Sequence, residues 1–345
     1  MERNFTETNF FKKPDKFVLN RTISTDLFNK NCYNNRACIF NYQKDDIYIV
    51  FGVLSLDLVC YNCNNNYILN KFILFTKLHK DNFDSVRHFY DSKNYRDLII
   101  TSSLDSHVKV INFKVRDSTI ILDLNFEYLE NVIINTAYFI NNEIMIPFAY
   151  HNKKGTISFY NLEFGFKINE VKEDPGFVLC LNGYYHEYTK KHYAIVSNTE
   201  GIYVYNINDY SLYNRFTPRM SLKYNSFTEG HVIEKDEKVI LIGPTFSQGF
   251  IFLWNLITKN LIDIITLSNG ITDICLWNNN YIFACLNGGM KDKFVLLNLS
   301  SKNIEKRFDN IKDNNCIGIK ILKHRTEGDF LITFSSSGKL YLYKM

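Results

Sequence analysis

The chain has 345 residues, 46% hydrophobic and 16% aromatic, with 15 Gly and 5 Pro, so it carries enough apolar side chain for a sizeable core, and its Tyr and Phe suit pleated, half-buried surfaces. Its 40 basic and 36 acidic residues leave a formal net charge of +4, a near balance that argues against a dedicated nucleic-acid binder with a concentrated basic face. No apolar run approaches the ~18 residues of a spanning helix, and residues 1–4 are not followed by the apolar stretch of a signal peptide, so the expected compartment is the reducing cytoplasm, with the nucleus as the alternative.

In chain order, residues 1–14 read as a tail and 15–345 as a single domain. A strand signal at 16–23 comes first. From about residue 36 one unit then recurs. Its hallmark is a short strand ending in an apolar or aromatic residue followed by Asn: Tyr61-Asn62, Ile111-Asn112, Tyr160-Asn161, Tyr205-Asn206, Trp254-Asn255 and Leu297-Asn298, with Tyr343-Lys344 closing the series. The interval is roughly 43–50 residues, near the ~40–45 of a propeller blade. Before each hallmark lie two apolar strands, an innermost one (38–42, 86–90, 133–140, 178–184, 226–233, 271–277, 316–322) and a second (47–51, 98–100, 143–146, 193–196, 238–242, 281–284, 330–333). A fourth, outer strand follows six of the seven copies (67–74, 119–126, 167–171, 211–216, 261–267, 303–308). Four strands per unit make a propeller blade. Asn, which tolerates left-handed backbone and closes Asx-turns, takes over the turn positions that Gly and Pro leave vacant.

One unit carries a more specific pattern. His79, Val86, Ser103-Leu104-Asp105 and the strand 108–112 follow one another in the order of the WD-repeat (WD40) family, and the chain resembles that family in degenerate form. The resemblance implies a seven-bladed all-β propeller of four-stranded antiparallel blades. It also implies that His79, Ser103 and Asp105 tie their blade together by buried hydrogen bonds, although Ile111 stands where the family has Trp. Trp254 is the only Trp in that terminal-strand position and is expected to be structural. Lys154-Gly155, Glu200-Gly201, Gln248-Gly249 and Ser337-Gly338 occupy the family's Asp-Gly turn. Because there are seven third strands and six outer ones, residues 17–23 are expected to complete the last blade beside 340–343, with Phe17, Leu19 and Arg21 on one face by strand alternation.

Chemistry-bearing constellations are sparse. Cys60-Tyr61-Asn62-Cys63 is a single CxxC, and zinc requires two further ligands; Cys60 lies within a recurrent strand and reads as a buried hydrophobe. The innermost strands read mostly apolar, with Asp273 as the notable carboxylate, and one carboxylate is no acid/base pair; Asp273 is expected to orient a backbone amide. No catalytic, cofactor or metal residue is assigned and no cofactor is expected. The remaining signal is a basic-leaning rim of loops and turns: Lys77, Lys80, His107, His151, Lys153, Lys154, Arg219, Lys291 and Lys293 are the candidate partner-binding residues. The expected function is a noncatalytic protein-interaction scaffold, adaptor or assembly subunit that binds protein segments on the propeller face. A lipid- or nucleic-acid-associated propeller using basic turns, and an enzyme with a cryptic central-funnel site, are the alternatives.

Overall fold

The computed structural model describes residues 18–24, 37–42, 46–53, 55–63, 69–126, 132–134, 138–140, 143–150, 156–172, 178–218, 226–235, 237–287, 294–308, 316–324, 328–335 and 339–345. Among these residues all regular structure is β. The chain folds as a β-propeller of four-stranded antiparallel blades.

The strands meander sheet by sheet. The first sheet comprises Ala37–Tyr42, Asp46–Gly52, Leu58–Cys63 and Leu69–Phe75, and the second Phe83–Asp91, Arg96–Ser103, His107–Asn112 and Thr119–Asn125. In the third, the innermost strand expected over 133–140 is two pieces, Val132–Ile134 and Tyr138–Ile140, both paired with Glu143–Tyr150, which continues to Thr156–Asn161 and Lys167–Lys172. The fourth is Cys180–His186, Lys191–Ser197, Ile202–Asn206 and Ser211–Phe216. The fifth begins at His231–Lys235, later than the expected 226–233 and preceded by an isolated Phe227–Thr245 bridge, and continues through Lys238–Pro244, Phe250–Asn255 and Leu261–Thr266. The sixth is Ile271–Trp277, Tyr281–Leu286, Phe294–Asn298 and Ile304–Phe308. The closing sheet joins Cys316–His324, Gly328–Ser335 and Lys339–Lys344 to the N-terminal Val18–Ser24.

The recurrent apolar-Asn hallmark has a local physical cause. In the second through sixth sheets, the pairing of the third with the fourth strand shifts register immediately before the Asn, at Val110/Ile111, Phe159/Tyr160, Val204/Tyr205, Leu253/Trp254 and Leu296/Leu297. Such a bulge bends the strand toward its turn. The Asn then closes that turn with its side chain: Asn161 Oδ1 accepts from the amides of Glu163 and Phe164, Asn255 Oδ1 from Ile257 and Thr258, and Asn298 Oδ1 from Ser300 and Ser301. These are Asx-turns, which satisfy backbone donors that would otherwise be unpaired.

Burial follows the blade geometry. Second strands are enclosed by neighbouring sheets on both faces: Leu98, Ile99 and Ile100 are fully buried. Such strands therefore read as continuous apolar runs rather than alternating ones. The outer strand Thr119–Asn125 is largely exposed. The core is distributed between sheets. One apolar cluster joins the first sheet to the second (Phe40, Val50, Val86, Ile99), another the fourth to the fifth (Ile195, Val204, Leu241, Trp254), and another the closing sheet to the first (Ile332, Leu342, Ile49, Val59). Innermost strands contact those of the adjacent sheets, save that the fifth sheet meets Ile271–Trp277 through Lys238–Pro244, and Cys316–His324 meets Ala37–Tyr42, so the ring is closed around a central channel.

The N-terminal strand seals the closing sheet by antiparallel pairing with Lys339–Lys344, from Val18 opposite Lys344 to Ser24 opposite Lys339. Phe17 lies outside the described residues, and the strict alternation expected for Leu19 and Arg21 does not hold. Asn20 is an extra residue between Leu19, opposite Tyr343, and Arg21, opposite Leu342, so Leu19 and Arg21 occupy consecutive register positions. This is the same kind of bulge that the outer strands of the second through sixth sheets place opposite the end of the third strand.

Candidate functional site

The second sheet is tied at its loop end by the residues singled out from the sequence. His79, 2% exposed, sits in the connection entering the sheet. Its Nδ1 lies 3.1 Å from Asp105 Oδ1, and its Nε2 2.9 Å from Thr101 Oγ1. Asp105 also accepts from the amides of Lys80 and His107, at 2.7 and 3.0 Å. Burial pushes the Asp105 carboxyl up, but the His79 hydrogen bond and these amides outweigh it and hold the group well below the usual carboxylate range. Ser103 does not reach His79. Its hydroxyl donates to the Asp81 carbonyl and accepts from the Asp105 amide. Trp254 is buried and stacks on Phe252 with centroids 5.2 Å apart.

Around this network stand three of the candidate partner-binding residues. Lys77 and Lys80 are exposed, and each is fixed through its backbone amide, to Asp57 and Asp105 respectively. His107 is half-buried and pairs with Asp123 at 2.7 Å. The remaining six, His151, Lys153, Lys154, Arg219, Lys291 and Lys293, lie outside the described residues.

The central channel holds a charged cluster that the sequence did not disclose. Arg87 comes from the second sheet, Glu229 and His231 from the start of the fifth, Asp273 from the sixth and Lys320 from the closing sheet. Arg87 Nη2 and Glu229 Oε2 are 3.9 Å apart, with both side chains mostly buried. The two sheets stand across the ring from each other, so this ion pair spans the channel. Burial raises the Glu229 carboxyl, but Arg87, His231 and Lys320 act more strongly together and lower it. Asp273 is 2% exposed and accepts the Ile319 amide at 2.9 Å, the amide-orienting contact expected of it. Burial, reinforced by Glu229 and opposed by Lys320, raises its carboxyl to about 6. Burial alone would lower the Lys320 ammonium, yet Asp273 and Glu229 hold it above its ordinary value. His231 is pushed down by burial, and its Nε2 is buried with no hydrogen-bond partner among the described residues.

Thiols add little chemistry. Cys38 and Cys275 are pushed up to about 12 by burial, so neither is a thiolate nucleophile or ready metal ligand at neutral pH. Cys60 of the CxxC pair is buried. Among the described residues no group of three or more His, Cys, Asp or Glu is placed to hold a metal ion, and no helix is long and apolar enough to cross a membrane.

Comparison with known proteins places the architecture. No family model matches the chain, and no curated protein sequence matches it. Among solved structures, a chain from the crystal structure of the mitotic checkpoint complex superposes with a TM-score of 0.72 at 10% sequence identity, covering 100% of this chain and 98% of that one. A likeness at that identity establishes the β-propeller fold. Matches extend to 1188 chains of solved structures, so the architecture is too widespread to name a partner by itself.

Proposed function

We propose that the chain is a noncatalytic scaffold or adaptor of the WD-repeat kind. It is a seven-bladed propeller, counting the sheet with the divided innermost strand as a full blade, and it binds segments of partner proteins on its loop face. The observation that carries this reading is the Arg87–Glu229 pair across the channel. The channel, where a propeller enzyme would admit substrate, is spanned by charges that neutralise each other. Lys77 and Lys80, by contrast, are exposed residues on a loop end stiffened by the His79–Asp105 network. Rigid, pre-ordered loops lower the entropic cost of association. Likeness to a chain of a multiprotein assembly is consistent with protein partners.

The test is site-specific photo-crosslinking in the native cell, with the probe placed at Lys80 on the loop face or at Ile121 on the outer strand of the same sheet. Partner adducts should form from Lys80 and not from Ile121. Equal adducts from both positions, or none from Lys80, would contradict face binding.

The rival that gains an observation is the funnel enzyme. Glu229, Asp273 and His231 share one region, and the Asp273 carboxyl sits at about 6, where a general acid works well. Turnover of any substrate panel that is abolished by Asp273→Asn while the fold is retained would favour it.

A further inference from the structure

A pocket of about 380 Å³ opens at the end of the second sheet opposite Lys77 and Lys80. It lies where the turn between the first and second strands (Asn94, Tyr95) meets the start of the turn between the third and fourth (Phe113, Lys114), with Tyr42 of the first sheet as the far wall. We propose that this pocket receives a carboxylate side chain, Asp or Glu, from an acidic segment of a partner protein. This rests on the protein-binding reading and adds a second contact surface to it.

The pocket is built around Arg96. The Arg96 Nε donates to Asp91 at 2.8 Å, and Asp91 is fully buried and further held by the amides of Lys93 and Asn94 and by the Asn94 side chain. One edge of the guanidinium is thereby clamped. No described residue accepts from its Nη groups, which leaves them for a second carboxylate in the planar geometry that Arg favours. Lys114 stands beside it, exposed, with no acceptor for its ammonium among the described residues. Asp97 also lines the pocket, but its Oδ1 is held by His88 Nε2 at 2.7 Å.

Asn112 provides an independent observation. It occupies the hallmark position whose side chain caps the following turn in the third, fifth and sixth sheets. In the second sheet that turn is closed instead by Ser118, whose hydroxyl donates to the Lys114 carbonyl and accepts from the Lys114 amide. The Asn112 side-chain amide thus has no hydrogen-bond partner among the described residues and lines the pocket, a neutral donor beside two cations. Tyr95 completes the entrance. Its φ is 51°, a left-handed conformation that a bulky residue adopts at a cost, and the residue is 84% exposed. There it offers an apolar platform to the residue next to the bound carboxylate.

The experiment is fluorescence polarisation with a labelled Glu-rich heptapeptide pool and a matched Gln pool, run on the full chain at two salt concentrations. The wild type should bind the Glu pool about tenfold more tightly than the Gln pool, with the preference weakening as salt rises. Lys114→Glu and Asn112→Ala should each remove most of that preference, whereas Lys77→Glu/Lys80→Glu on the opposite end should leave it intact. Equal binding of the two pools, or a preference untouched by Lys114→Glu, overturns the pocket. A preference abolished only by Lys77→Glu/Lys80→Glu overturns it too, while leaving the scaffold reading standing. Complete competition by millimolar inorganic phosphate, or tighter binding of a single-stranded RNA oligomer than of the Glu pool, also overturns it.

Discussion

Arg87 and Glu229 face each other across the central channel at 3.9 Å, although 142 residues of chain separate them. With both side chains mostly buried, removal of one partner strands a charge that water reaches poorly, whereas removal of both does not. Arg87→Met should therefore destabilise by about 2 kcal/mol, and Arg87→Met with Glu229→Gln by less than the sum of the single changes. Denaturant melts of the four proteins check this; additive losses would mean that the pair is not coupled.

Asp273 supplies a pH test in the same cluster. Its carboxyl is raised from the ordinary 3.8 to about 6, so between those values the folded state binds a proton that the unfolded state has released. Ionised Asp273 therefore weakens the fold, and that penalty grows as pH rises to about 6 and is constant above it. Asp273→Asn, which keeps an oxygen for the Ile319 amide, should gain stability relative to the wild type across that window and hold the gain at pH 7. A difference that is flat with pH would contradict the raised carboxyl.

Asp105 is the acceptor on which the loop end of the second sheet converges. Asp105→Ala leaves the Lys80 and His107 amides and the His79 ring without it and should cost about 1–3 kcal/mol. Glu200 is exposed and, among the described residues, its side chain accepts only one long 3.4 Å contact, from the Tyr203 hydroxyl, so Glu200→Ala should cost clearly less. Equal losses in thermal melts would show that the second sheet holds no special network.

Much of this architecture was legible because its cause is local. The apolar-Asn hallmark is the imprint of a bulge and an Asx-turn, both written within four residues, as at Trp254-Asn255. The His79–Asp105 contact was legible because these residues stand in the order of the WD-repeat pattern that the chain resembles, and that resemblance implied it. The channel cluster was not. Arg87, Glu229 and Lys320 lie in or beside three different innermost strands, and no local spacing relates them; only closure of the ring brings them together. The pocket depends on a similar fact that the hallmark does not announce, that Ser118 rather than Asn112 closes the turn. The bulge at Asn20 went unread because that strand pairs with residues more than 300 positions away in sequence.

The N-terminal strand makes a separate prediction. Val18–Ser24 is the outer strand of the closing sheet, and its removal exposes the edge of Lys339–Lys344, whose Leu340, Tyr341, Leu342 and Tyr343 are buried. Open apolar edges template association with other chains. A chain lacking residues 1–24 should aggregate or melt far earlier, and one lacking only 1–13 should melt like the intact protein. A soluble, equally stable 25–345 chain would refute closure by this strand.

Binding of proteins through the loop face is tested most directly by quantitative affinity capture from the native cell, comparing the wild type with Lys77→Glu/Lys80→Glu at matched expression and matched melting temperature. One defined set of proteins should be enriched by the wild type and depleted several-fold by the charge reversal, with the difference shrinking at high salt, because rim charges act mainly on encounter. Recovery of the same proteins in equal amounts by both forms, across salt, would contradict binding through this face.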